Sequence, residues 1–161
     1  MAALEGLRVV KSTIHGYGVV TTRAFRVGEL VCFGDGVLYP EHADFDDTYA
    51  LILGAEDTDG AGVVFWDLVD QTRWFNHSCE PNTEVLANHE QARGVRAWWV
   101  ALRDIAVGEE ITYDYGFTAE VAEPCACGAA GCRGVIVEDD PVQYGKLAEP
   151  LQRLLRVKRA S

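Results

Sequence analysis

Three groups of residues in this chain have the types and spacing that chemistry needs. The first is the run "RWFNHSCEPN", Arg73 to Asn82, which sets an amide, an imidazole and a thiol (Asn76, His77 and Cys79) within four positions. The second is "CACGAAGC", in which Cys125, Cys127 and Cys132 follow a C-x-C-x4-C spacing with glycines between. Three such thiolates suit one zinc ion, and a structural zinc takes four ligands in a tetrahedron. Cys79 is the thiol available for the fourth place, with a histidine as the alternative. Cys32 lies in the apolar run "ELVCFG" and reads as a core residue. With four protein ligands the zinc has no open position for a water, so the expected role is structural. Bound through Cys79, it would staple the Asn76–His77 loop to the carboxyl-terminal knuckle. The third group is "EEITYDYGF": Tyr113 and Tyr115 stand two apart in a strand pattern, on one face, with Asp114 on the other.

Each group also has an ordinary reading. Asn76 and His77 could form a turn cap beside a buried ring. The two phenols could be core aromatics with wet hydroxyls. "STIHGYGVV", where Gly16 and Gly18 flank Tyr17, could be a hairpin turn, or a place where backbone approaches a ligand closely.

These residues need elements to hold them. At 161 residues, 48% hydrophobic and 24% charged, the chain has the composition of one globular domain with a real core. The pattern is mainly β. "LRVVKST", "YGVVTT", "RVGELVCF", "YALIL", "GVVFWDL", "VRAWWVALRDIAV" and "GEEITYDYGF" read as short strands, with "GAEDTDGAG" as an acidic hairpin turn. A short helix is predicted after Tyr39-Pro40. A longer one is predicted over "DPVQYGKLAEPLQRLLRVKR", where Leu147, Leu151, Leu154 and Leu155 recur at helical spacing. No repeat is apparent, and neither a βαβ alternation nor a GxGxxG motif is present.

The formal net charge is −11 and is unevenly placed. Between Val27 and Thr72 there are eleven acids and no Lys or Arg, while the remaining fourteen acids equal the fourteen bases. That sign excludes a nucleic-acid face over this third of the chain and suits a cationic partner. No run reaches the ~18 apolar residues of a membrane span. The amino terminus lacks a secretory pattern, so a reducing, intracellular setting is expected: cytoplasmic in a bacterium, nuclear in a eukaryote.

Taken in order, "STIHGYGVVTTRAFRVGELV", "TRWFNHSCEPNT", "GEEITYDYGF" and "CACGAAGCRG" resemble the SET-domain family of protein-lysine methyltransferases, from about Ser12 to Gly134. The match is specific at "NHSCEPN", "YDYG" and the cysteine knuckle, the family's post-SET motif, and loose between Phe33 and Asp70. No cysteine-rich segment precedes Ser12, so no pre-SET module is expected. The resemblance implies a SET domain over residues 1–118, a post-SET zinc knuckle over 119–135 and a helical extension over 136–161. The NHSC and YDYG segments would cross in a knot-like way. It implies S-adenosylmethionine as cofactor, with His15, Gly16 and Tyr17 around its methionine end. Arg73, Trp74, Asn76 and His77 would complete that site. Cys79, Cys125, Cys127 and Cys132 would hold a structural zinc. Tyr115 matches the catalytic tyrosine. Tyr113 stands where members vary between Tyr and Phe, and a Tyr there leans toward monomethylation. Tyr49 resembles the tyrosine that lines the lysine channel. The implied substrate is a Lys/Arg-rich, histone-like segment, steered by the acidic third. Trp74 departs from the family's usual Phe. The alternative is a SET-like scaffold that binds cofactor or basic peptide without turnover.

Overall fold

The computed structural model describes residues 4–53, 63–87 and 97–157. The expected acidic turn (54–62, with Glu56, Asp57 and Asp59) lies outside the described residues, as do Lys158 and Arg159 of the basic tail.

The architecture is mainly β, in several small sheets. Strands β1 (Leu7–Lys11) and β2 (Tyr17–Thr21) form an antiparallel hairpin across the His15-Gly16 turn. Strands β3 (Leu30–Gly34), β4 (Gly36–Pro40), β5 (Ala50–Leu53) and β6 (Val64–Leu68) come next, and β4-β6-β5 make an antiparallel sheet. The two-residue β7 (Asn76–His77) precedes β8 (Thr83–Ala87) and β9 (Ala97–Ala101), and β3-β9-β8 form a third sheet. The two-residue β10 (Thr112–Tyr113) runs parallel to β7, and β11 (Glu123–Pro124) pairs with β12 (Val135–Ile136). The expected strands are present, except that "GEEITYDYGF" is extended in a ladder only over Thr112–Tyr113 and "VRAWWVALRDIAV" is a strand over Ala97–Ala101, after which the chain turns.

The two helix expectations need correction. After Tyr39-Pro40 the chain turns without forming a helix, and "GVLYP" itself is the strand β4. The carboxyl-terminal helix is two short ones, α1 (Pro141–Lys146) and α2 (Glu149–Leu154). Pro150 explains the break. It has no N–H to continue the first helix, and its fixed φ suits the first turn of the second. Leu147, Leu151 and Leu155 pack into a small second core with Val135 and Val137, whereas Leu154 is exposed.

The main core is aromatic at its centre. Trp99 is fully buried, and its ring meets Phe75 edge-on at 5.2 Å and Tyr113 at 5.7 Å. Phe75 and Tyr113 each adjoin a site segment, so core packing sets where those segments lie. Burying a side chain of this size contributes about 1.5–3 kcal/mol.

The structure brings together two copies of a short repeat that the sequence does not make apparent. "RAFRVGE" from Arg23 and "RDIAVGE" from Arg103 fold into matching turns that pair with each other. Phe25 and Ile105 exchange both backbone bonds, at 2.9 and 2.8 Å. Arg23 pairs with Glu29 at 2.8 Å, and Arg103 with Glu109 at 2.9 Å. Gly28 and Gly108 both adopt left-handed φ, +80° and +86°, as such turns require. The motif is too short, and its copies too far apart in the chain, for a periodicity search to register. Its consequence is positional: it anchors the segment that leads through Glu110 into β10.

Phe25, 1% exposed, is the middle of this pairing. Phe25→Ala is expected to cost about 3–5 kcal/mol, read as a lower urea midpoint with an unchanged slope.

Candidate active site and thiol cluster

The loop after β6 is shaped by Asp70. Its carboxylate accepts from Thr72 N at 2.9 Å and from Asp35 N at 2.8 Å, capping the 3-10 turn Gln71–Trp74. That turn presents Arg73 and Trp74. Trp74 meets Tyr17 edge-on at 5.5 Å and Tyr49 at 5.2 Å. The Arg73 guanidinium lies 4.3 Å from the Tyr49 ring centre, a cation–π contact. Tyr17, Tyr49 and the adjacent Arg73 and Trp74, from three separate parts of the sequence, therefore form one group.

Asn76 and His77 are both buried. The Asn76 amide nitrogen donates to the backbone carbonyls of His15 at 3.1 Å and Tyr17 at 2.9 Å, and to Glu110 Oε1 at 2.8 Å. Asn76 thus clamps the His15–Tyr17 loop, where Gly16 has φ +48° and open space beside it. His15 and Tyr17 are themselves exposed.

The His77 tautomer follows from its neighbours. Its Nδ1 accepts from Tyr115 N at 3.1 Å, so Nε2 carries the hydrogen and points it at Cys79 Sγ, 3.4 Å away. Burial holds the imidazole well below its usual range, at about 4; Asp114 opposes that shift and Arg133 adds to it. The ring is therefore neutral, and the 3.5 Å approach of Asp114 to Nδ1 is a polar contact between uncharged ring and carboxylate. The carboxylate's cation is Arg133, at 2.7 Å.

Tyr113 and Tyr115 lie side by side, ring centres 4.9 Å apart, with Phe117 5.4 Å from Tyr115. The Tyr115 hydroxyl donates to the Phe75 carbonyl at 2.8 Å, tying this aromatic group to the one around Trp74. Burial is the main reason both phenols lose acidity. Tyr115 is pushed up to about 12, and Tyr113 is raised well above the ordinary phenol range. Both stay protonated at neutral pH and can donate hydrogen bonds but not act as bases.

Cys79, Cys125, Cys127 and Cys132 converge, with all four sulfurs within 4.8 Å of one another and Cys79–Cys125 at 3.8 Å. Four sulfurs at ~2.3 Å around a tetrahedral zinc stand about 3.8 Å apart, so this donor set fits such an ion. Without a cation, burial pushes the Cys79 thiol up to about 11. Cys127 is partly buried too, yet N–H donors from Cys79 and Ala129 bring it down to about 7. Cys32 is buried apart from the cluster, in the main core.

A sequence profile of the SET domain matches residues 16–116. The chain belongs to the SET-domain family. Histone-lysine N-methyltransferase 2B of Homo sapiens is 36% identical over 143 residues, 80% of this chain and 5% of that protein. Histone-lysine N-methyltransferase SETD1 of Drosophila melanogaster is 31% identical over 140 residues, 81% of this chain and 8% of that protein. The chain thus spans a small part of the length of these relatives. Among solved structures, KRYPTONITE in complex with mCHH DNA, H3(1-15) peptide and SAH superposes with TM-score 0.63 and 27% identity, covering 81% of this chain and 29% of that one. SUVH6 of Arabidopsis thaliana in complex with SAM gives TM-score 0.66 at 24% identity, covering 81% of this chain and 33% of that one, a likeness of fold.

Four further residues shape the site although no site role was expected for them from the sequence. Asn82 is 2% exposed; it donates to Glu110 O at 2.8 Å and accepts from Thr112 N at 2.9 Å. Glu110 holds Ser12 and Asn76. Asp114 and Arg133 link the YDYG segment to the thiol cluster, because the Arg133 N–H also donates to Cys79 Sγ at 3.3 Å. Their signal was proximity to motifs: Asn82 ends "NHSCEPN" and Arg133 follows the last clustered cysteine.

Cobalt(II) titration of the metal-free protein is expected to give the visible bands of a tetrahedral thiolate site. Cys132→Ser should weaken or change those bands, while Cys32→Ser should leave them intact.

Proposed function

We propose that this chain transfers a methyl group from S-adenosylmethionine to the ε-amine of a lysine in a basic, histone-like protein segment. The observation that carries the reading is the partly buried, hydrogen-bonded Tyr115 phenol beside Tyr113, next to the Asn76–His77 segment, in a chain of the SET-domain family. The names of the relatives, and the H3 peptide and SAH in the KRYPTONITE complex, support the substrate class and the cofactor.

When bound, S-adenosylmethionine supplies a methyl on a cationic sulfonium, which the amine lone pair displaces while the C–S electron pair leaves with sulfur. In this reading the chain's part is alignment, the main source of rate in such a displacement. His15, Gly16, Tyr17, Arg73, Trp74, Asn76 and His77 hold the cofactor; Gly16 leaves room for it, and the half-exposed rings suit its cation. Tyr115 and Tyr113 place neutral hydroxyls at the reacting centre, and Tyr49 lines the lysine channel. The lysine, with a reference pKa of ~10.4, gives its proton to solvent, since neither phenol can take it. Cys79, Cys125, Cys127 and Cys132 hold a structural zinc.

Glu29 and Asp70 of the acidic third are committed internally, to Arg23 and to the Gln71 turn. Asp35, Glu41, Asp44, Asp46 and Asp47 stay exposed and are left to steer a basic segment.

The test is incubation of the full chain with labelled S-adenosylmethionine and histone H3 peptides. Label on lysine, reduced about 100-fold in Tyr115→Phe, is the expected result. Cofactor binding with no transfer would instead indicate a non-catalytic scaffold. By mass spectrometry, Tyr113→Phe should raise the di- and trimethyl share, because losing its hydroxyl frees space beside the amine. Initial rates on a basic peptide should fall several-fold from about 20 to 200 mM salt; a flat response counts against acidic steering.

A further inference from the structure

Glu110 is a half-buried carboxylate with neutral partners. The Ser12 hydroxyl donates to its two oxygens at 2.8 and 2.9 Å, and the Asn76 amide donates to Oε1 at 2.8 Å. Among the described residues no Lys, Arg or His nitrogen lies within 4.0 Å of it. This separates it from its neighbour Glu109, which is paired with Arg103.

Its place is against the site. A Cβ on Gly18 would stand 2.2 Å from Oε1, so the carboxylate rests directly on the backbone of the loop that carries Tyr17. It also lines an open depression of about 380 Å³ shared with Thr13, Ile14 and Ser78, where Arg103 is also present but is paired with Glu109 at 2.9 Å. Its negative charge is felt at Tyr115, whose phenol it helps keep protonated. A half-buried carboxylate with no cation within hydrogen-bonding reach favours a cation brought near it.

We propose that Glu110 is a specificity-determining residue that supplies the counter-charge for the cationic cofactor and so makes the chain prefer S-adenosylmethionine to S-adenosylhomocysteine. The inference rests on the cofactor reading above. S-Adenosylmethionine carries a sulfonium, and S-adenosylhomocysteine has a neutral thioether in its place. An anion beside the site stabilises the first more than the second. The site therefore loosens its hold once the methyl has gone.

The experiment is calorimetric titration of the full chain with each ligand, compared with Glu110→Gln, which keeps an acceptor oxygen and removes the charge. S-Adenosylmethionine affinity is expected to fall roughly tenfold and S-adenosylhomocysteine affinity by less than about twofold. Glu110→Asp should restore most of the preference. Equal weakening of both ligands, or an unchanged ratio, overturns the proposal in favour of a purely structural role. Failure of the wild-type chain to bind either ligand overturns the cofactor reading itself. If Glu110→Gln does not fold, the wild-type chain decides with an analogue bearing a protonated amine in place of the sulfonium. Affinity for it near that for S-adenosylmethionine and above that for S-adenosylhomocysteine supports the counter-charge; affinity no better than for the thioether overturns it.

Discussion

The site depends on the parallel pairing of two dipeptides. Asn76–His77 lies against Thr112–Tyr113, and the Ser78 N–H continues the ladder to the Tyr113 carbonyl at 3.1 Å. Parallel strands need a connection that carries the chain back to its starting end. Here that connection runs from Ser78 to Ile111 and includes β8 and β9. So short a ladder could not hold itself. It is held by Trp99, which packs between Phe75 and Tyr113, and by Asn82, which binds both Glu110 and Thr112 through its amide. The buried Asn82 is well placed for this, since its side chain offers a donor and an acceptor at once.

From that pairing a chain of contacts extends to the thiol cluster. Cys79 Sγ receives the Arg133 N–H and faces His77 Nε2, and His77 Nδ1 receives the Tyr115 N–H. Arg133 closes the circuit through Asp114, next to Tyr115. One sulfur is therefore linked to the backbone of the catalytic candidate by two routes. The second hydrophobic cluster, around Val135 and Leu147, sits behind this connection. The short helices α1 and α2 have their role there, as cover for the segment that bears Arg133.

Charge is divided between surface and interior. The exposed acids Asp35, Glu41, Asp44, Asp46 and Asp47 lie on and around β4 and β5, whereas the buried Asp70 caps the Gln71–Trp74 turn. Glu110 belongs to neither set. It is half-buried and, among the described residues, has no ion-pair partner, and its neutral donors hold it against the Tyr17 loop. An acid kept in that state is a constraint on what the adjoining space will accept.

Much of this was legible in the amino-acid order alone. Strand pattern, the buried Cys32, the three-thiol C-x-C-x4-C knuckle and the family all follow from local residue types, because motif spacing and alternation are properties of the chain itself. Leu147, Leu151 and Leu155 marked a buried stripe correctly, though Pro150 divides the helix that was expected to carry it. What tertiary structure alone decided were relations across long separations. The choice of Cys79 over a histidine, the clamp of Asn76 on the His15–Tyr17 loop, the Arg133–Asp114 link and the matched Arg23 and Arg103 turns all join residues far apart in sequence. A hydrogen bond or a metal site is a condition on distance in space. Local sequence constrains which groups can meet it, and only the packed core determines which of them do.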